Sequence, residues 1–203
     1  MWIGKLLIVI LFLFCTGCSV SNHPMAKQTR MLEKGELKDD TSYVYQLPYE
    51  PGNSHLIVQG YFGPFSHQNR AALDFKMKKG TKILAAREGV VRSLKEDSDK
   101  GGWSRKNREF GNYIIITHPD GSRAGYWHLQ QNGALVNVGD TVQKGQVIAL
   151  SGKTGYAAMP HLHFLVWGHD NTRQWSPLPT RFQTSNGIKY LRPMRKYRSV
   201  NGL

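Results

Sequence analysis

The chain has 203 residues, 40% of them hydrophobic, with a formal net charge of +13. That length can bury one good core but not two, which excludes a multidomain assembly and leaves a single domain with appendages. The excess of bases favours acidic polymers or anionic membrane surfaces as partners.

Taken from the start, Lys5 is the only charge before an apolar stretch over residues 6–14, and Cys15-Thr16-Gly17-Cys18-Ser19 follows. The stretch is too short to span a bilayer comfortably and has the form of a secretory signal peptide. The small residues before Cys18 resemble the lipobox of bacterial lipoproteins, with Cys15 where leucine is usual. The likeness implies a signal peptide over residues 1–17, a lipid on Cys18, and an exported chain anchored to the cell envelope. Ser19 resembles the residue of lipoproteins sent to an outer membrane, facing the periplasm. Cleavage there removes Lys5, taking +13 to +12, and leaves one cysteine, so no intramolecular disulfide is expected. Export also takes the chain away from nucleic acid.

Residues 18–42 are polar, without a sustained period, and read as a tether; part of it, residues 25–37, can form a short helix. From Tyr43 the texture changes to short β-rich runs cut by turn signals such as Pro51-Gly52-Asn53, Pro119-Asp120-Gly121 and Ser151-Gly152. This punctuation predicts an all-β fold over residues 43–185, a mostly antiparallel sandwich or open, barrel-like single domain with long surface loops. The strands expected first are residues 83–91, 113–117, 146–150 and 162–167. The polar segment 93–111 is either a solvated hairpin tip or one wall of a groove. Residues 186–203 form a basic C-terminal segment, a solvated tail or a patch for an anionic surface.

The chemistry centres on Met159-Pro160-His161-Leu162-His163-Phe164-Leu165-Val166-Trp167. Its β-formers predict a strand, and alternation then puts His161 and His163 on one face. Neutral imidazole is both a common metal ligand and a proton carrier near neutral pH, although a surface-facing pair on a half-exposed strand fits too. Asp74, amid Ala71-Ala72-Leu73 and Phe75, is a charge in an apolar run. Burying an unpaired carboxylate costs several kcal/mol, so a cation should lie beside it, and a metal would serve. His67 follows a turn-rich approach, and His128 interrupts Tyr126-Trp127-His128-Leu129. Together these segments offer the residue types of a zinc site; each histidine alone is as readily a hydrogen-bonded structural residue.

The order His67, Asp74, Tyr126-Trp127-His128-Leu129, His161-Leu162-His163-Phe164, with Gly111-Asn112-Tyr113 and Ser151-Gly152-Lys153-Thr154-Gly155, resembles the lysostaphin-type zinc endopeptidases, which cut bacterial cell-wall peptides. The likeness covers about residues 55–170. It implies one Zn²⁺ per chain held by His67, Asp74 and His163, with His128 and His161 in the catalytic positions. It also implies a monomeric, zinc-dependent peptidoglycan hydrolase cutting stem or cross-link peptide bonds. The other expectation is a non-catalytic cell-wall binder that activates a peptidoglycan amidase, which would need a regulatory protein partner. One departure stands out: the commonest spacing in that family would put Arg70 at the first ligand's distance from Asp74, and arginine stays protonated, so His67 must reach the metal across six intervening residues.

Overall fold

A computed structural model describes residues 21–170 and 173–201. The expected signal peptide and the lipidation position Cys18 lie outside them. Among the described residues the fold is all-β apart from one helix and one 3₁₀ turn, and its largest sheet is open. Across that sheet the strands run Thr141–Val142, Gly89–Lys95, Tyr113–Thr117, Arg123–Trp127, His161–His169, Ala72–Lys76, Ser54–Gln59 and Lys196–Arg198, with Trp175–Leu178 pairing the far part of His161–His169. All these pairings are antiparallel.

Alternation along His161–His169 divides the sheet into a core face and a groove face. Leu162, Phe164 and Val166 point into the core, where Phe164 sits across from Leu73 on one side and Tyr126 on the other. A three-stranded sheet of Lys82–Leu84, Val147–Ser151 and Leu129–Ala134 contributes Ile83, Leu129 and Ile148 to the same core. A second small sheet, Val44–Gln46 with Arg181–Thr184 and Gly187–Tyr190, adds Tyr45 and Phe182. Each fully buried Leu, Ile or Phe contributes about 1.5–3 kcal/mol, and no disulfide is needed.

Two expectations change, and a third is met. The run 83–91 is not one strand: Lys82–Leu84 and Gly89–Lys95 belong to different sheets. Between them Arg87 is buried, its guanidinium stacked 3.8 Å from the centre of the Tyr43 ring and bonded at 2.7 Å to Asp120, which turns the chain. Within the stretch read as a tether, the short helix expected over residues 25–37 is present as Pro24–Lys34, with Pro24 in its first turn, His23 as N-cap and Gly35 closing it at φ 76°. It packs through Ala26 and Thr29, while the His23 ring stacks on Phe62 at 4.5 Å. The basic C-terminal segment is not a tail either: Gly187–Tyr190 and Lys196–Arg198 are both paired strands, and Leu191 between them is fully buried. Lys196 and Arg198 put charge on the sheet's edge strand, a common guard against edge-to-edge association.

Candidate metal centre and active-site groove

The register of the large sheet builds the site. His163 lies directly opposite Asp74 on one side and Trp127 on the other, so these three side chains share the groove face. His161, two residues earlier, points the same way. His67 arrives from the loop after Ser54–Gln59, which is closed by Phe62 N–H donating to Arg70 O at 3.0 Å and Arg70 N–H donating to His67 O at 2.9 Å. That turn lets the unusual spacing work, because it folds the His67 ring back over Asp74.

His67 Nε2, Asp74 Oδ1 and His163 Nδ1 converge within 4.8 Å of one another. The separations are 3.2 Å between His67 and Asp74, 3.1 Å between His67 and His163, and 2.7 Å between His163 and Asp74. Donors bound at about 2.0–2.1 Å around one tetrahedral zinc stand about 3.3 Å apart, so the triad needs to open by about 0.6 Å at its tightest contact, and less elsewhere, to accept an ion. Two imidazoles and one carboxylate form the donor set of catalytic zinc sites, whereas closed structural sites use four protein ligands. The residues therefore fit the metal.

Backbone carbonyls fix the rings. His67 Nδ1 donates to Gly60 O at 3.0 Å, His128 Nδ1 to Thr154 O at 2.6 Å, and His161 Nδ1 to Met159 O at 2.8 Å. In the neutral ring each then carries its lone pair on Nε2. The His128 and His161 rings lie 4.5 Å apart, and His161 Nε2 is 3.7 Å from Asp74 Oδ1. Burial, reinforced by His161 and His163, pushes the pKa of His128 down to about 3. Burial likewise pushes His163 down to about 4, against the opposing hydrogen bond and charge of Asp74. Burial by itself would raise the Asp74 carboxyl, but His67 and His163 outweigh it and hold it well below the usual carboxylate range.

His128 adopts φ 65°, the left-handed region that costs a non-glycine residue about 1–2 kcal/mol. The strain is held by its surroundings. Asn112, fully buried, bonds the backbone N–H and C=O of Ser98 through its side chain and donates its own N–H to Thr154 Oγ1 at 3.0 Å, while that hydroxyl donates to Leu129 O at 2.8 Å. This network positions the Thr154 carbonyl that His128 grips. Gly155 beside it has φ 78°, and a Cβ there would stand 2.6 Å from Gly111 Cα, so only glycine fits.

A groove of about 510 Å³ opens over the cluster, a volume ordinary for a ligand site. Trp127 lies on its floor because Gly125 has no side chain; a Cβ there would be 2.0 Å from the indole ring. Of the two readings for residues 93–111, the groove wall is the one found. Trp103, Arg108 and Gly111 line the groove, and the segment is clamped by parallel pairing of Gly101–Gly102 with Gly155–Tyr156.

Sequence reasoning missed Gln59. A bulge between Ile57 and Gln59 re-aims this residue toward Asp74, where its Nε2 donates to Asp74 Oδ2 at 2.9 Å and to Ser66 Oγ at 2.8 Å. Its Oε1 accepts from the N–H groups of Phe65 and Ser66, tying the His67 loop to the carboxylate. Outer partners of metal ligands typically matter 10–100-fold for affinity. Gln59→Leu is therefore expected to weaken zinc binding about 10- to 100-fold, read by competition with a fluorescent chelator; unchanged affinity would remove Gln59 from the site.

A family model described as peptidase family M23 matches residues 68–177, a span that begins just after His67. An uncharacterized metalloprotease of Haemophilus influenzae is 32% identical over 173 residues, 85% of this chain and 30% of that protein. Lysostaphin of Staphylococcus simulans is 38% identical over 110 residues, 53% of this chain and 20% of that protein. The peptidoglycan DD-endopeptidase ShyA of Vibrio cholerae is 36% identical over 91 residues, 45% of this chain and 18% of that protein. The chain thus spans less than a third of the length of these relatives. Among solved structures, the catalytic domain of lysostaphin from Staphylococcus simulans aligns at 30% identity and a TM-score of 0.44, covering 62% of this chain and 87% of that one. A match that takes in more than half of the sequence makes this chain a member of peptidase family M23.

Proposed function

We propose that the chain is a zinc-dependent peptidoglycan hydrolase that cleaves stem or cross-link peptide bonds in the bacterial cell envelope. The observation that carries this reading is the convergence of His67 Nε2, Asp74 Oδ1 and His163 Nδ1 beneath a groove that also holds His128 and His161. The relatives named lysostaphin and peptidoglycan DD-endopeptidase support the substrate class.

His67, Asp74 and His163 would hold the zinc. When bound, zinc supplies positive charge for a peptide carbonyl and lowers the pKa of water to about 7. His128, kept neutral by burial, presents Nε2 to take a proton from the attacking water and return it to the leaving amine, a role worth typically 10²–10⁴-fold. His161, its ring 4.5 Å from that of His128, is the second imidazole facing the place where the carbonyl oxygen would develop charge. Trp127 and Trp167, packed edge to face at 5.3 Å, give the peptide an apolar floor and exclude water. All five polar positions are present and mutually oriented, which speaks against the non-catalytic regulator.

Lipid anchoring at Cys18 and an outer-membrane location remain part of the proposal; no helix among the described residues is long and apolar enough to cross a membrane. The test is mass spectrometry of purified peptidoglycan incubated with the zinc-loaded chain, the chelated chain and His163→Ala. Loss of cross-linked dimers with zinc-loaded wild type alone is expected. Release of intact stem peptides would make the enzyme an amidase, and no cleavage by a folded, zinc-loaded protein would refute hydrolysis.

A further inference from the structure

The groove carries charge of one sign beyond the histidine cluster. Among the described residues that line it, the only acid is Asp74, and the bases are Arg70 and Arg108. Asp74 is committed to its neighbours: Oδ1 faces His67 and His163, and Oδ2 accepts from Gln59. Neither guanidinium forms an ion pair with a carboxylate among the described residues. Arg70 closes the His67 loop through its backbone alone, which leaves its side chain free of that structural duty. Arg108 sits on the 3₁₀ turn Arg105–Phe110, with its guanidinium 5.6 Å from the centre of the Tyr156 ring. The two charges sense each other: burial and then the like charge of Arg108 lower the pKa of Arg70, against the smaller opposing influence of Asp74.

Two like charges in one groove repel, and with Asp74 engaged by His67, His163 and Gln59, an anion between them relieves the repulsion. Arginine is suited to a carboxylate because its planar fork can donate two parallel hydrogen bonds. Large exposed apolar side chains flank the pair, Phe65 at 79% and Trp103 at 78% exposure, and offer contact area to the chain that carries the anion. We infer that Arg70 and Arg108 form a carboxylate-recognition subsite, so that the groove selects peptides bearing a free carboxylate on a residue flanking the scissile bond. This rests on the peptidase reading for the word scissile, but recognition itself does not need cleavage.

The probes are acetylated, amidated pentapeptides, Ala-Gly-Gly-Glu-Ala and Glu-Gly-Gly-Ala-Ala, each beside its glutamine counterpart. Binding to the full chain, zinc-loaded and chelated, is measured by calorimetry, and hydrolysis is followed in parallel by mass spectrometry. At least one glutamate peptide should bind about tenfold or more tightly than its glutamine partner, the scale of a hydrogen bond to a charged group. The ratio should fall toward one in R70Q/R108Q and in high salt, while R70K keeps part of it. Equal binding of acid and amide, or no binding of either, overturns the subsite. A preference that survives R70Q/R108Q but vanishes on chelation assigns the carboxylate to the metal and also overturns it. Hydrolysis without an acid preference would leave the peptidase reading standing and sink the subsite; preference without hydrolysis would support the subsite and leave the peptidase reading to be decided on peptidoglycan.

Discussion

His163→Ala is expected to abolish both zinc binding and hydrolysis, whereas His128→Ala abolishes hydrolysis and leaves most of the zinc. His163 Nδ1 lies 2.7 Å from Asp74 Oδ1 and 3.1 Å from His67 Nε2, so its loss takes one of three donors and leaves the buried carboxylate with a weaker set of partners. Leaving a buried charge poorly compensated costs about 3–5 kcal/mol at worst, so the variant's melting temperature must be read beside its metal content. His128 is no member of the triad, and its Nδ1 is occupied by the Thr154 carbonyl. Removing it should cost about 10²–10⁴-fold in kcat, the range for a general acid–base. Alanine at φ 65° adds backbone strain, so His128→Asn, better tolerated in the left-handed region, separates lost chemistry from lost packing. Metal analysis and kcat on the purified variants decide the matter, and equal zinc loss in His163→Ala and His128→Asn would sink the division of roles.

The parts of this site that could be read from sequence are those that rest on local pattern. Two-residue alternation set His161 and His163 on one face of a strand, and the charge of Asp74 in an apolar run demanded a cation. The pairing of His163 with Asp74 is a matter of register between strands 89 residues apart, which no local pattern encodes. Gln59 was invisible for the same reason: only the bulge beside it turns an ordinary strand-end glutamine toward Asp74. The helix Pro24–Lys34 was legible only as a faint tendency, because its burial depends on Phe62 and other distant surfaces rather than on a strong apolar stripe of its own. The division of residues 83–91 between two sheets goes with the burial of Arg87, and the polar break Arg87-Glu88-Gly89 in an otherwise apolar run was its only local sign.

Acid should unfold the metal-free chain earlier than an ordinary β domain, and the direction follows from the buried imidazoles. In the unfolded chain histidine titrates near pH 6.5, whereas in the fold burial holds His128 at about 3 and His163 at about 4. Between pH 6.5 and those values the unfolded chain binds protons that the folded chain refuses, so stability is full above 6.5 and falls as the pH drops through the window. Each such histidine contributes a slope of about 1.4 kcal/mol per pH unit once its unfolded form is protonated. Two of them correspond to about 5–10 °C of melting temperature per unit for a chain of this size. Burial lowers His55 and His118 as well, which adds to the slope in the same direction. The depressed carboxyl of Asp74 acts later, its contribution present above its ordinary value of 3.8 and lost as the pH falls below it. Calorimetric melting of the chelated chain from pH 7.5 to 4.5 measures the total, and His128→Asn isolates one histidine's share by flattening the curve. Zinc should hold the melting temperature up to lower pH, because it binds only the deprotonated ligands and therefore competes with the protons. A melting temperature independent of pH across that range would mean that the cluster is open to water and that burial does not depress His128 and His163.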